Sequence, residues 1–159
     1  MKHIATLLFA LLAMACTPEH PQPANEETAL IPFTIIEEGI QSGFHPDSHT
    51  LTAVTDEAAW ETFWSQHKTI TPIPTAPKID FTQKMVIAVV DSDQPNSGYT
   101  LHMDKIEQEG DELWVHVTRE QPASGCLNLG MVSQPYVLVT IPHQTAQPKL
   151  VFSTHTYEC

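Results

Sequence analysis

His45-Pro46-Asp47-Ser48-His49 is the densest group of potential ligands among the chain's nine histidines. Two imidazoles four residues apart on one helix face could hold a metal ion. Pro46 and the Gly43 entry place this stretch in a loop instead, and neither HExxH nor a paired CxxC accompanies it. His45, Asp47 and His49 therefore read as solvated side chains rather than a metal site. His102 and His116 fall at polar, alternating strand positions and read as surface residues. Asp91 and Asp93 follow the most apolar run of the chain, where acid–base carboxylates can stand, but short acidic residues also build turns there. There is no GxSxG and no glycine-rich phosphate loop. A Ser-His-acid set need not be local in sequence. The residues name no catalytic group, no metal and no cofactor.

The three cysteines are Cys16, Cys126 and Cys159. A reactive Cys126 would need a lowered pKa, and nothing basic stands near it in sequence. Pairing Cys126 with Cys159 would close a loop of about 34 residues, worth about 3–4 kcal/mol in chain entropy. It would also pin the C-terminus. Cys16 follows a short basic start, an apolar run over Ile4–Leu12 and the small residues Ala13-Met14-Ala15. That is the pattern of a signal peptide over 1–15, with Cys16 as the site of lipidation. The apolar run is shorter than the about 20 residues of a membrane span. Ala13-x-Ala15 also suits ordinary signal peptidase, and Ala13 stands where a lipoprotein box usually has Leu. Lipidation of Cys16 leaves an even pair to oxidise, whereas release would leave an unpaired thiol in an oxidising compartment. Thr17 after the cysteine, rather than Asp, fits an outer-membrane destination where the host has such a membrane.

The formal charge of −12 excludes a phosphate-binding footprint and hence nucleic acid. It also opposes electrostatic adhesion to anionic lipid, so membrane attachment would come through the lipid anchor alone. Its plainest consequence is solubility.

Positions 16–32 form a proline-rich stretch (Pro18, Pro21, Pro23, Pro32) without apolar periodicity. It reads as a semi-rigid tether reaching up to about 50 Å. A single domain is expected over 33–159. Strands are expected at Phe33–Glu38 and Thr50–Val54. One helix follows, capped by Thr55 or Asp56, with Trp60, Phe63, Trp64 and His67 at i, i+3, i+4 and i+7. Three prolines between Thr69 and Pro77 force an irregular loop. Met85–Val90 is a continuous apolar run, suited to a central strand. Tyr99–Met103 and Leu113–Val117 alternate around a Gly110-Asp111 hairpin, with a slip of phase between Met103 and Ile106 that implies a bulge. Tyr136–Ile141 and Leu150–Phe152 close the series. The expected class is α+β: a mostly antiparallel, twisted sheet with one principal helix packed on it. The loop Gln121–Gly130, stiffened by Pro122 and Gly125 and apolar at Leu127 and Leu129, suits protein recognition because a pre-ordered loop loses little entropy on binding. A plain structural connection is the other reading of it.

Taken in order, Trp60-Glu61-x-Phe63-Trp64, Ile79-Asp80-Phe81, Met85-Val86-Ile87, Ser97-Gly98-Tyr99, the loop around Cys126, Gln134-Pro135-Tyr136 and Ile141-Pro142 resemble the PrcB-type protease-complex subunits, over Gln41 to Pro142. The resemblance implies an exported lipoprotein that is itself non-catalytic. Its partner would be an exported protein, such as a subtilisin-like protease of the cell surface that it stabilises. Against this stand a periplasmic small-ligand or metal-binding domain built on His45, Asp47, His49 or the Asp91-Asp93 turn, a hydrolase without a recognisable motif, and a purely structural lipoprotein.

Overall fold

The computed structural model describes residues 28–159. The expected signal peptide, Cys16 and most of the expected tether lie outside them. Along the described chain run β1 (Ala29–Leu30), β2 (Thr34–Gly39), β3 (Thr50–Val54), α1 (Glu57–His67), β4 (Lys84–Val90), β5 (Thr100–Glu109), β6 (Glu112–Pro122), β7 (Tyr136–Pro142) and β8 (Pro148–Tyr157). Strand structure begins before the expected boundary at 33. β1 pairs with β5, and the Ile31 amide donates to the Ile106 carbonyl at 2.8 Å.

The chain is mostly β, with two four-stranded sheets where one was expected: β1-β5-β6-β8 and β2-β7-β4-β3. The reason is the apolar pattern. β5 and β6 each have one apolar face and need a layer to cover it, while β4 is apolar on both faces and needs two. Met85, Ile87 and Val89 of β4 and Val137 and Val139 of β7 meet Ile106, Leu113 and Val115 of the other sheet in one buried cluster. The opposite faces of the same two strands supply Val86, Ala88, Val90 and Leu138 to a second cluster, shared with Trp60, Phe63 and Trp64 of α1. β4 therefore has no solvent-facing side beyond Lys84.

All pairings are antiparallel except β6 with β8. Parallel neighbours need a crossover, and here β7 provides it from the opposite sheet, so no second helix is required. The β5–β6 hairpin turns at Gly110-Asp111, with Gly110 at φ 57°, and its register shifts between Met103 and Lys105. Asp56 is the N-cap of α1, its carboxylate accepting from the Ala59 amide at 2.9 Å. The proline-rich loop after α1 also satisfies the helix's indoles: Trp60 Nε1 donates to the Pro77 carbonyl at 2.9 Å and Trp64 Nε1 to that of Pro74 at 2.7 Å.

Candidate protein-interaction loop

The connection between β6 and β7 is held from several sides. Its first bend is a turn in which the Cys126 amide donates to the Ala123 carbonyl at 3.3 Å and Gly125 takes φ 105°. A positive φ at this place is the type II geometry that glycine adopts without strain. Cys126 stands at bonding distance from Cys159, with Cα atoms 5.7 Å apart. Further on, the Leu129 amide donates to Ser97 Oγ at 3.2 Å and the Ser97 amide to the Leu129 carbonyl at 3.0 Å. Ser133 and Gln94 exchange a pair of backbone hydrogen bonds, and Ser133 Oγ donates to the Asn96 carbonyl at 2.7 Å. Asn128 packs so closely on Gly98 that a Cβ there would lie 2.7 Å from its side chain.

Between these anchors the loop turns its large apolar side chains outward. Leu127 is fully exposed, Leu129 is 70% exposed, and Val132 is 56% exposed. Single exposed apolar residues are ordinary; here several stand on one tied-down loop. Of the residues singled out from sequence, Pro122 ends β6, Gly125 makes the turn, and Leu127 and Leu129 carry the exposed surface.

The other sequence candidates are dispersed. His45 Nδ1 meets Asp93 Oδ1 at 3.0 Å, whereas His49 stacks on Phe152 of β8 with ring centroids 4.0 Å apart. Asp47 is exposed. Asp91 is fully buried, with Arg119 at 3.4 Å, Gln94 Nε2 at 3.2 Å and the Ser92 amide at 2.9 Å around its carboxylate. Asp93 faces solvent, and hydrogen bonds from His45 and then Gln134 hold its carboxyl below the usual range. The two aspartates thus stand apart, one buried with Arg119 and the other in solvent with His45. Among the described residues no three His, Cys, Asp or Glu side chains converge as a metal site.

One polar cluster has no sequence motif. Ser42, His67 and Glu37 come together from the loop after β2, the end of α1 and β2 itself, joined by Lys68 and Tyr136. Ser42 Oγ accepts from the Phe44 amide at 3.2 Å and lies 3.1 Å from His67 Nδ1. The hydroxyl, with one lone pair taken by that amide, can donate to Nδ1 or accept from it, and His67 Nε2 stands 3.9 Å from Glu37 Oε2. Lys68 Nζ and the Tyr136 hydroxyl both donate to Glu37 Oε1, the latter at 3.0 Å. Burial, followed by the Lys68 cation, pulls the His67 pKa down to about 4, against the opposing pull of Glu37. The set has the composition of a hydrolytic triad. Ser42 is only 1% exposed and His67 0%, so no substrate carbonyl reaches the hydroxyl in this fold. The cluster is two joined halves, Ser42 with His67 and Glu37 with Lys68 and Tyr136, which tie β2 and β7 to the end of α1, while His67 Nε2 and Glu37 Oε2 face each other without a hydrogen bond. The sequence signal was partial: His67 completes the aromatic stripe of α1, but nothing marks Ser42 as its partner.

Residues 85–142 match a family model described as PrcB C-terminal. In the fold, that span holds β4, β5, β6 and β7, which are the two inner strands of each sheet. No curated protein and no solved structure matches the chain. The loop and the strands it joins fall inside the matched span, and the match supports the resemblance read from the residues over 85–142, whereas the motifs at Trp60–Trp64 and Ile79–Phe81 lie outside it: in that span the chain is similar to the PrcB C-terminal family.

Proposed function

We propose that the protein is an exported, non-catalytic subunit that binds and stabilises a secreted or cell-surface protease, with a subtilisin-like enzyme as the first candidate. It is anchored to the bacterial envelope through lipid on Cys16, on the outer membrane where the host has one. Residues before β1 act as the tether, and the membrane is touched through the lipid alone. The observation that carries this reading is the loop holding Pro122, Gly125, Leu127 and Leu129: an apolar surface kept in water on a backbone fixed by Cys126–Cys159 and by its bonds to Gln94 and Ser97. Such a surface is pre-organised for a protein partner. The match of residues 85–142 to the PrcB C-terminal family, which suggests a protease-complex-associated subunit, points the same way.

The test pairs the chain with the exported protease of its own host. The expected result is co-elution with the protease and a longer half-life of the enzyme against autolysis. Leu127→Ser combined with Leu129→Ser should remove both effects while changing the melting temperature little, because Leu127 is fully and Leu129 largely exposed. Equal protease lifetime with and without the chain would defeat the proposal. Lipidation is tested separately, by a fatty-acyl mass increment that disappears in Cys16→Ser.

A further inference from the structure

Four strands form the edges of the two sheets, and three of them carry features that discourage further pairing. β1 has two residues, β2 has an irregular register between Ile35 and Glu37 and two glutamates, and β8 begins at Pro148-Lys149. β3 differs. Thr50-Leu51-Thr52-Ala53-Val54 contains no charge, no proline and no bulge, and pairs with β4 in unbroken register from Thr50↔Val90 to Val54↔Val86. Among the described residues no strand lies on its other side.

A groove runs beside this edge. It has a volume of about 510 Å³ and lies between Thr50, Thr52 and Val54 of β3 and Ala59, Thr62 and Phe63 of α1. That is within the range of about 300–1,000 Å³ common for ligand sites. None of its lining residues is charged, although the chain carries −12 overall. Charges flank the strand in sequence: Asp47 precedes β3, and Asp56 and Glu57 follow it, all exposed. A free edge gives backbone pairing, and a neighbouring groove takes every second side chain of the added strand. The chain before Pro32 enters through β1, at an edge of the other sheet. A second copy would set one concave groove against another and leave both unfilled.

We propose that β3 and α1 form a second docking site, which takes an extended segment of a partner protein as a fifth strand of the β2-β7-β4-β3 sheet. The segment carries apolar side chains at alternate positions, for the groove, and basic residues at its two ends, for Asp47 and for Asp56 with Glu57. The site shares no residue with the β6–β7 loop and does not depend on the identity of the protease partner.

The probe is a short synthetic peptide of alternating valine and threonine with a lysine at each end. A control peptide is N-methylated at the amides of one edge, which removes the donors that pairing needs. Binding to the full chain is read by calorimetry, and the site by amide exchange. The expected result is saturable binding, slowed exchange of the β3 amides, and at least tenfold weaker binding both of the methylated peptide and by Ala59→Arg. Ala59 is exposed, so this variant should melt like the parent, and the melt is recorded. Absence of binding, or binding indifferent to methylation or to Ala59→Arg, overturns the proposal. So does a dimer of the peptide-free chain that Ala59→Arg dissolves, because the groove would then belong to a second copy.

Discussion

His67 holds no proton beyond its neutral complement until the pH falls to about 4, whereas an exposed histidine charges near 6.5. The unfolded chain therefore binds the extra proton first, and acid withdraws stability. His67 should contribute a loss of about 1 kcal/mol between pH 7.5 and 5.5, a window above most carboxylate titration. Urea midpoints across that window check it: the slope should flatten in His67→Gln, and an unchanged slope would contradict a depressed His67. Ser42→Ala addresses the same cluster without titration. It strips His67 Nδ1 and the Phe44 amide of a partner in a buried place, which costs about 1–3 kcal/mol in chemical denaturation. Were Ser42 a nucleophile instead, the variant would lose an ester-cleaving activity and little stability. At this scale the sequence was a fair guide to exposure and a poor one to company. Leu127 and Leu129 are outside as read, whereas Asp91, read as a turn residue, is buried against Arg119. The meeting of Ser42, His67 and Glu37 depends on which strands adjoin, and no local pattern encodes that.

Elements were legible where a pattern is local. The helix begins at Asp56, the β5–β6 turn sits on Gly110-Asp111, and the bulge falls where the apolar phase slips. The division into two sheets was not legible, because one continuous apolar strand looks the same whether helices or a second sheet cover it. The joint between the β2–β3 loop and the end of α1 offers a test of how these elements fit. The Gly43 amide donates to the His67 carbonyl at 2.7 Å, and a Cβ on Gly43 would stand 2.0 Å from the Gln66 carbonyl oxygen. Both groups are backbone, so neither yields by a rotamer change. Gly43→Ala should cost about 1–3 kcal/mol and loosen the end of the helix. The checks are a lowered melting temperature and faster amide exchange at Lys68, whose N–H bonds the Trp64 carbonyl at 3.1 Å. Parent-like exchange there would mean that loop and helix are not joined in this way.

For the molecule as a whole, the bridge from Cys126 to Cys159 ties the end of the chain to the first bend of the β6–β7 loop. Cys126→Ser with Cys159→Ser should lower stability by about 3–4 kcal/mol in the chain-entropy account. It should also raise protease sensitivity within 123–132 before elsewhere, since the loop loses one of its anchors. Cleavage that starts at another site would show that the Ser97 and Gln94 contacts suffice alone. At this scale the order of short motifs pointed to the family that residues 85–142 match.

The pairing of β2 with β7 has its own effect on how the molecule comes into being. Thr34 lies opposite Thr140 and Gly39 opposite Tyr136, so the first long strand waits for one that emerges about a hundred residues later. β8 then joins β6 only after β7 has crossed to the other sheet. Assembly of this kind is slow, on the order of milliseconds to seconds, because distant segments must meet before any contact rewards them. A chain threading out of a membrane pore would stay unfolded until nearly all of it had passed. On the proposed export route that delay would keep the chain passable, and the free edge of β3 would be open to whatever strand arrives first.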